Sequence, residues 1–278
     1  MVLISTVRII GETFMHKLTL IAVLYNGLPL LPHWLKHHYP LVDAGILIDY
    51  GSTDGSLEIV EELAPGWRII PASSEYSCQG ADDEVKRIED SIDGWKFTPN
   101  VTEFLICPDI HKVLENAAKP CIIPRRAAIM VDTPDTRLQK LTDAPLVLQK
   151  HYGIWHNEFP LSGLPRDYCQ RQRPIHRLNN AYWSIGRHFI RNTETETSDQ
   201  FIMNWFAWSP YSIIRERKQK VKFFLSDKDY DENRGWQHYI SMNEQDSIFD
   251  RISKLSKDLM QDKIYKGLID ASDTKTIL

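Results

Sequence analysis

The chain has 278 residues, of which 42% are hydrophobic and 25% charged, as in ordinary globular proteins. Its formal net charge is −4, so it has no overall positive field for indiscriminate binding to nucleic acid. The four cysteines are widely scattered, and no two have the C-x-x-C spacing of a zinc or redox site. We interpret them as free thiols in a reducing compartment.

The residues before Leu18 contain no long apolar run, because Arg8, Glu12 and His16 interrupt them. A signal peptide needs an apolar stretch of about 7–15 residues, and a membrane span needs about 20. We therefore expect a cytoplasmic protein without a membrane span.

Alternating strands and helices are predicted in the first part of the chain. A continuous apolar run at Leu18–Leu24 is typical of a strand buried on both faces. A helix over 29–38, a strand over 45–48, a helix over 57–63 and a strand over 67–70 follow. This order predicts a mostly parallel sheet flanked by helices, which is the α/β class.

The pattern is looser further along. Residues 82–92 predict an amphipathic helix and residues 95–106 contain a further strand. Short strands are predicted at 121–124 and Leu146–Gln149, and a terminal helix at 247–261. Neither a repeat nor a linker divides the chain, so we expect one domain over residues 1–278 with an irregular C-terminal elaboration.

The turn after the second predicted strand carries the strongest functional signal. Asp49 stands at the carboxyl end of a parallel strand, where ligands bind in open α/β sheets. Gly51 and Gly55 let the backbone turn tightly and approach a ligand. Ser52 or Asp54 can cap the next helix by accepting its free amides. An ordinary strand–turn–helix connection is the alternative interpretation.

Three stretches of this region resemble the opening of family 2-like glycosyltransferases: Tyr25-Asn26, residues 34–38 (Trp-Leu-Lys-His-His) and residues 49–56 (Asp-Tyr-Gly-Ser-Thr-Asp-Gly-Ser). They are most similar to a branch with Asn-Glu, Trp-Leu-x-His-His and Asp-x-Gly-Ser-x-Asp-Gly motifs, although Gly27 stands in place of the glutamate. The resemblance implies a GT-A-type fold. It also implies transfer of a sugar, with inversion, from a nucleotide-diphosphate donor to a glycan or other hydroxyl acceptor.

The resemblance also implies a division of labour along the chain. Residues of about 18–110 form the nucleotide-sugar-binding half, and residues of about 111–278 form the acceptor-side half. Asp49 contacts the nucleobase or ribose in that family. The other donor-binding residues that we predict in this half are Asn26, Gly51, Ser52, Asp54 and Gln79.

A second similar block runs over residues 94–105, where relatives have Asp-x-Asp-Glu-Phe-Leu. Those aspartates hold a divalent metal against the diphosphate, and hard carboxylate oxygens suit Mg²⁺ or Mn²⁺. This chain has Asn100 and Thr102 at the aspartate positions. We predict donor contacts for both, and a divalent metal, if one is used, has Glu103 or Asp109 to supply a carboxylate.

Arginine and histidine cluster in the C-terminal half, over residues 171–177, 186–188 and 215–218. Guanidinium groups bind diphosphate oxygens, and histidine ligates metals or transfers protons. We select Arg187 and His238 as donor-binding and His188 as catalytic, since both histidines closely follow a glycine.

An inverting transfer also needs a general base within hydrogen-bond reach of the acceptor hydroxyl. Glu158 and Asp167 are the candidates. Two other functions stay open: a catalytically silent nucleotide- or glycan-binding relative, and a metal-dependent hydrolase. No H-x-H or H-E-x-x-H pair supports the hydrolase, and residues 215–222 are too short a basic stretch to predict nucleic-acid binding.

Overall fold

The computed structural model describes residues 17–159, 171–222, 225–232, 234–235 and 238–276. The strands of this part of the chain are β1 (Leu18–Leu24), β2 (Ala44–Asp49), β3 (Arg68–Pro71), β4 (Trp95–Phe97), β5 (Glu103–Ile106), β6 (Cys121–Val131), β7 (Tyr152–Trp155), β8 (Ile175–His176), β9 (Glu196–Trp208) and β10 (Lys257–Asp258). The helices are α1 (Leu31–His38), α2 (Ser56–Leu63), α3 (Cys78–Glu89), α4 (Ile110–Glu115), α5 (Leu146–Gln149), α6 (Tyr211–Lys222), α7 (Asp227–Asp231), α8 (Met242–Ile252) and α9 (Lys263–Thr276).

All ten strands belong to one sheet, in the order β10-β7-β6-β8-β4-β1-β2-β3, with β5 paired to β9 and β9 also paired to β6. Strands β4, β1, β2 and β3 run parallel to one another. The long pair β6 and β9 is parallel as well, whereas the shorter pairings beyond β4 are antiparallel. The predicted α/β class with a mostly parallel sheet is confirmed.

Helices cover both faces of the parallel half. On one face, Leu20 of β1 packs in the same buried cluster as Trp34 of α1. On the other face, Ile21 packs with Val85 and Ile88 of α3. Both faces of β1 are buried, and all of its residues except Thr19 are apolar, which explains why its ends can be predicted from the sequence.

Three predicted elements are wrong in type or in extent. Leu146–Gln149 forms a single helical turn after Pro145, not a strand, because a short apolar run does not distinguish the two. The predicted terminal helix over 247–261 ends at Ile252, and the last helix is α9. The strand predicted at 121–124 continues to Val131 as β6, and the sequence pattern does not predict β9.

Helix α3 begins at Cys78, earlier than predicted, because the Ser77 hydroxyl accepts the Gly80 N–H at 2.9 Å and caps the helix. The predicted helix and strand positions up to Pro71 otherwise agree with the structure within a few residues. Among the described residues, no helix has the length and apolar character needed to cross a membrane.

The histidine pair of the Trp-Leu-x-His-His motif joins α1 to β5. The His38 imidazole donates from Nδ1 to the Trp34 carbonyl (3.0 Å) and accepts the Leu105 N–H at Nε2 (3.3 Å). His37 donates to the Leu105 carbonyl at 2.7 Å. Burial lowers the pKa of His37 to about 4, and burial together with His37 lowers the pKa of His38 well below its usual value. Both rings are therefore neutral in the folded protein.

We expect acid to destabilise the protein through this pair. The unfolded chain binds protons at the ordinary histidine pKa near 6.5, so stability is full above that pH and falls toward pH 4. Each histidine contributes up to about 1.4 kcal/mol per pH unit in this window. Urea denaturation from pH 7 to pH 4.5 measures the slope, which should be shallower in H37Q/H38Q. The half-exposed His111 supplies the control, since H111Q should keep the wild-type slope.

Candidate functional site

A cavity of about 480 Å³ lies at the carboxyl ends of the parallel strands. Val23 and Tyr25 line it from the end of β1, and Asn100, Val101 and Thr102 line it from the segment that follows β4. This edge is where open α/β sheets bind their ligands, and the volume is in the range of small-molecule sites.

The walls of the cavity are aromatic and cationic. The aromatic lining residues are Tyr25, Tyr76, Trp205 and Phe206. The charged lining residues comprise five cations and two carboxylates: Arg171, Arg187, Arg217, Lys218 and Arg234, with Asp82 and Glu232. The cavity is thus positive although the chain as a whole is negative. Such a field concentrates anionic ligands.

Both carboxylates are already paired with arginines. The Arg187 guanidinium lies 2.6 Å from Asp82 and donates to the Asn100 amide oxygen at 3.3 Å. Arg234 lies 2.6 Å from Glu232. The cations that remain for a ligand are therefore mainly those contributed by α6.

One face of α6 forms part of the cavity wall. Ile214, Arg217, Lys218 and Val221 line the cavity, at the spacing that places residues on a single helical face. The Lys218 side chain is buried, its Nζ lies 3.2 Å from the centre of the Trp208 ring, and it has no hydrogen-bond partner in the described part of the chain. Burial, followed by Arg171 and Arg217, lowers the pKa of Lys218 well below its usual value.

The predicted residues His188 and His238 both line the cavity. Arg171 donates to His188 Nε2 at 3.1 Å, so the His188 proton is on Nδ1, which has no partner among the described residues. Burial and the nearby Arg171 lower the pKa of His188 well below its usual value. Burial, Arg217 and Lys218 lower the pKa of His238 to about 3. Both histidines are neutral at physiological pH.

A strained turn presents Arg187 to the cavity. Gly186 and Arg187 both adopt the left-handed conformation, with φ of 72° and 57°. The left-handed conformation is energetically unfavourable for residues other than glycine. Residues held in it cluster at functional sites. Asp82 stabilises the turn, because it accepts the Gly186 N–H at 2.8 Å in addition to the Arg187 guanidinium.

The polar corner at residues 49–56 is held to the loop after β1 by its own hydrogen bonds. Thr53 N–H donates to the Asn26 side chain (2.8 Å), Asn26 N–H donates to Ser52 Oγ (3.0 Å), and Leu28 N–H donates to Asp54 (3.1 Å). Gly51 and Gly55 have φ of 84° and 90°, which only glycine adopts without strain. The predicted donor-binding residues of the corner are thus engaged in fixing its shape.

Asp49 takes part in the same corner. Its carboxylate accepts the Gly51 and Ser52 amides at 3.0 and 3.1 Å. It is half-buried, and it is not among the described residues that line the cavity, although the neighbouring strand brings Tyr25 there. Its contact with a nucleoside remains a prediction.

The residues in the metal positions do not form a set that fits a divalent cation. Glu103 is completely buried and forms a two-point ion pair with Arg173, at 2.7 and 2.9 Å. Asp109 caps α4 by accepting the Lys112 N–H at 3.1 Å. The described residues contain no group of three histidine, cysteine or carboxylate side chains able to hold a metal. The geometry therefore does not support Glu103 as a metal ligand.

Two of the remaining predicted residues, Glu158 and Gln79, are not among the described residues that line the cavity. Glu158 is exposed and pairs with Lys257 at 2.8 Å, so the structure does not bring this candidate base to the site. Asp167 lies outside the described residues. Gln79 contacts a lining residue, because its amide oxygen accepts a hydrogen bond from Arg234 at 2.6 Å.

The sequence interpretation noted the basic clusters but did not single out Arg171, Arg217 and Lys218, which line the cavity. Treating residues 215–218 as part of a helix would have separated the residues on its two faces. Arg215 points away from the cavity and pairs with Asp246 at 2.7 Å, whereas Arg217 and Lys218 lie on the cavity face.

Comparisons with known proteins give only distant likenesses. No protein-family model and no curated protein matches the chain. Among solved structures, glucosyl-3-phosphoglycerate synthase from Mycobacterium tuberculosis, in complex with phosphoglyceric acid, is similar at 15% identity and a TM-score of 0.31. That likeness covers 39% of this chain and 43% of the synthase, so this chain matches less than half of the synthase's length. Mannose-1-phosphate geranyltransferase from Thermus thermophilus is similar at 10% identity and a TM-score of 0.28, over 83% of this chain and 67% of that one. TM-scores this low do not support a function.

Proposed function

We propose that the chain is a GT-A-type glycosyltransferase that moves a sugar from a nucleotide-diphosphate donor to a hydroxyl acceptor. The observation that carries the proposal is the cationic and aromatic cavity at the carboxyl edge of the parallel sheet. Aromatic rings provide flat apolar surfaces for a base or a sugar, and guanidinium groups match the geometry of phosphate oxygens. The motif resemblance in the first half of the chain supports the same function.

Glu232 is the general base in this proposal. Both Asp82 oxygens accept hydrogen bonds, one from Gly186 N–H and one from Arg187. Arg234 contacts only Oε2 of Glu232, and Lys228 lies 3.9 Å from Oε1. Glu232 is also the more exposed of the two carboxylates, so it keeps lone pairs for an acceptor hydroxyl. The acceptor oxygen attacks the sugar's anomeric carbon, its proton passes to Glu232, and the bond to the diphosphate breaks with the electron pair on the leaving oxygen.

A binding protein of the same fold is the second candidate. The pairing of both cavity carboxylates and the absence of the motif's metal aspartates from the sequence favour it. Such a protein would bind the donor and leave it intact, which separates it from a transferase in a turnover assay.

We expect nucleoside diphosphates to raise the thermal stability of the protein more than the matching nucleosides. At a hundredfold excess over the dissociation constant, the stabilisation is about 2.7 kcal/mol. A thermal-shift screen over UDP, GDP, ADP, CDP and dTDP measures it, and release of free nucleoside diphosphate from the corresponding sugar donors measures turnover. No stabilisation by any of these ligands would contradict the proposal.

Two variants and a matched control then test the assigned roles. E232Q should keep donor binding and lower turnover by about 10²–10⁴-fold, the usual contribution of a general base. D49A should weaken binding of the nucleoside part, and wild-type affinity in D49A would remove Asp49 from the site. E158Q changes an exposed, lysine-paired carboxylate and should leave binding and turnover unchanged.

A further inference from the structure

The family resemblance implies a divalent metal at the diphosphate, yet the residues at the corresponding positions are committed elsewhere. The Asn100 side-chain oxygen accepts a hydrogen bond from Arg187, and the Asn100 backbone N–H donates to Glu103 at 2.8 Å. Both Glu103 oxygens contact Arg173. A metal there would have to displace a buried guanidinium, which leaves an uncompensated charge at a cost of several kcal/mol.

Positive charge is supplied to the same cavity from α6. Arg217 lines the cavity and forms no ion pair or hydrogen bond with the described part of the chain, and burial lowers its pKa. Lys218 is 5% exposed, and its ammonium contacts the Trp208 ring without any hydrogen bond to the described residues. The Arg171 guanidinium lies on the Trp205 ring, 3.6 Å from its centre. Aromatic faces hold Arg171 and Lys218 in place, and Lys218 and Arg217 both line the cavity.

Arg171, Arg217 and Lys218 line the same cavity, and the two arginines repel the charged form of Lys218. Burial makes this repulsion stronger than it would be in water. An anion in the cavity would relieve this repulsion, and a diphosphate has oxygens that can accept N–H groups from Lys218 and Arg217. The same charges would stabilise the negative charge that develops on a departing nucleoside diphosphate.

We propose that Arg217 and Lys218 bind the diphosphate directly, so that donor binding needs no divalent metal. This inference rests on the proposed function, since it assigns the part of the site that holds the donor's phosphates. Ile214 and Val221 flank the two cations on the same helical face and line the cavity with them.

Calorimetric titration of the full chain with UDP, GDP and inorganic pyrophosphate, each in EDTA and in Mn²⁺, tests the inference. We expect equal affinity in the two buffers. K218M should bind about 10- to 100-fold more weakly in EDTA, the usual loss for a hydrogen bond to a charged group. R217Q should weaken binding in the same direction. K220M changes an exposed lysine of the same helix and should bind as the wild type does.

The stability of the unliganded K218M variant distinguishes a ligand-binding role of Lys218 from a structural one. Removing a buried cation that lacks a hydrogen-bond partner in the described ranges should leave unliganded K218M at least as stable as the wild type in thermal denaturation, while its affinity falls. A structural lysine would lower both. If K218M does not fold, R217Q carries the test, because Arg217 is more exposed.

The outcomes also distinguish this inference from the proposed function. Binding of nucleoside diphosphates only in Mn²⁺, or unchanged affinity in both variants, overturns the inference and leaves the proposed function intact. If pyrophosphate binds in EDTA but no nucleoside diphosphate binds, the cationic site is supported and the proposed transferase function is overturned. Binding of none of these anions in either buffer overturns both.

Discussion

Replacing Arg173 with methionine should destabilise the protein by about 3–5 kcal/mol, the usual cost of breaking a fully buried ion pair. Arg173 and Glu103 are both completely buried, and two hydrogen bonds join them. The same guanidinium donates to the carbonyls of Gly186 and Arg187 at 2.6 and 2.9 Å. The variant would leave the Glu103 carboxylate without a counter-charge and would remove the Arg173 donor from two carbonyl groups. Urea denaturation at pH 7 measures the loss.

A surface pair and a double variant serve as controls. Arg125 and Asp199 form an equally close pair at 2.8 Å, but both are more than half exposed, so R125M should cost less than about 1 kcal/mol. The double variant E103Q/R173M should recover part of the loss, because it leaves no buried charge at this pair. Equal costs for R173M and R125M would show that the buried pair contributes nothing special.

Replacing Trp34 with alanine should also cost about 3–5 kcal/mol, the range for removing a large buried aromatic side chain. Trp34 is completely buried between α1 and the sheet, and its ring meets the Trp67 ring edge-on at 6.0 Å. Its Nε1–H donates to the Glu103 carbonyl at 3.0 Å, so the variant loses packing and a buried hydrogen bond together. The midpoint of chemical denaturation reports the change.

Two further substitutions bracket this value. W34F keeps an aromatic ring in the core and should cost clearly less than W34A. Y182A removes an aromatic side chain that is 63% exposed and should change stability by no more than about 0.5 kcal/mol. If W34A is as stable as Y182A, the predicted contribution of the buried Trp34 side chain to stability is wrong.

Where burial is uniform, the sequence predicts the fold well. Strand β1 has the predicted bounds because each of its faces meets a helix and every position but one is apolar. Strand β9 escapes prediction because it begins with the polar residues 196–200 and becomes fully buried only from Phe201 onward. Its pairing with β5 and β6 comes from distant parts of the chain, which local periodicity does not report.

The candidate site shows a similar limit. The glycine neighbours of His188 and His238 single out these two histidines, and both line the cavity. A sequence does not tell a cation that has a counter-charge from one that lacks it. Arg173 and Lys218 both lie in basic clusters, yet Arg173 faces Glu103 whereas Lys218 rests on an aromatic ring. Likewise, an aspartate at position 49 can contact a ligand or accept the amides of the turn at residues 49–56, and the sequence does not distinguish these roles.

The pairing of β5 with β9 has a consequence for synthesis on the ribosome. Strand β5 precedes its partner by the whole stretch between Ile106 and Glu196. At about 5–20 residues per second, that delay is on the order of ten seconds. During this time the nascent chain exposes the edge of β5, an edge of the kind that favours aggregation. Cutting the gene between the two strands should accordingly yield an insoluble first fragment, rescued only when the second is produced alongside it.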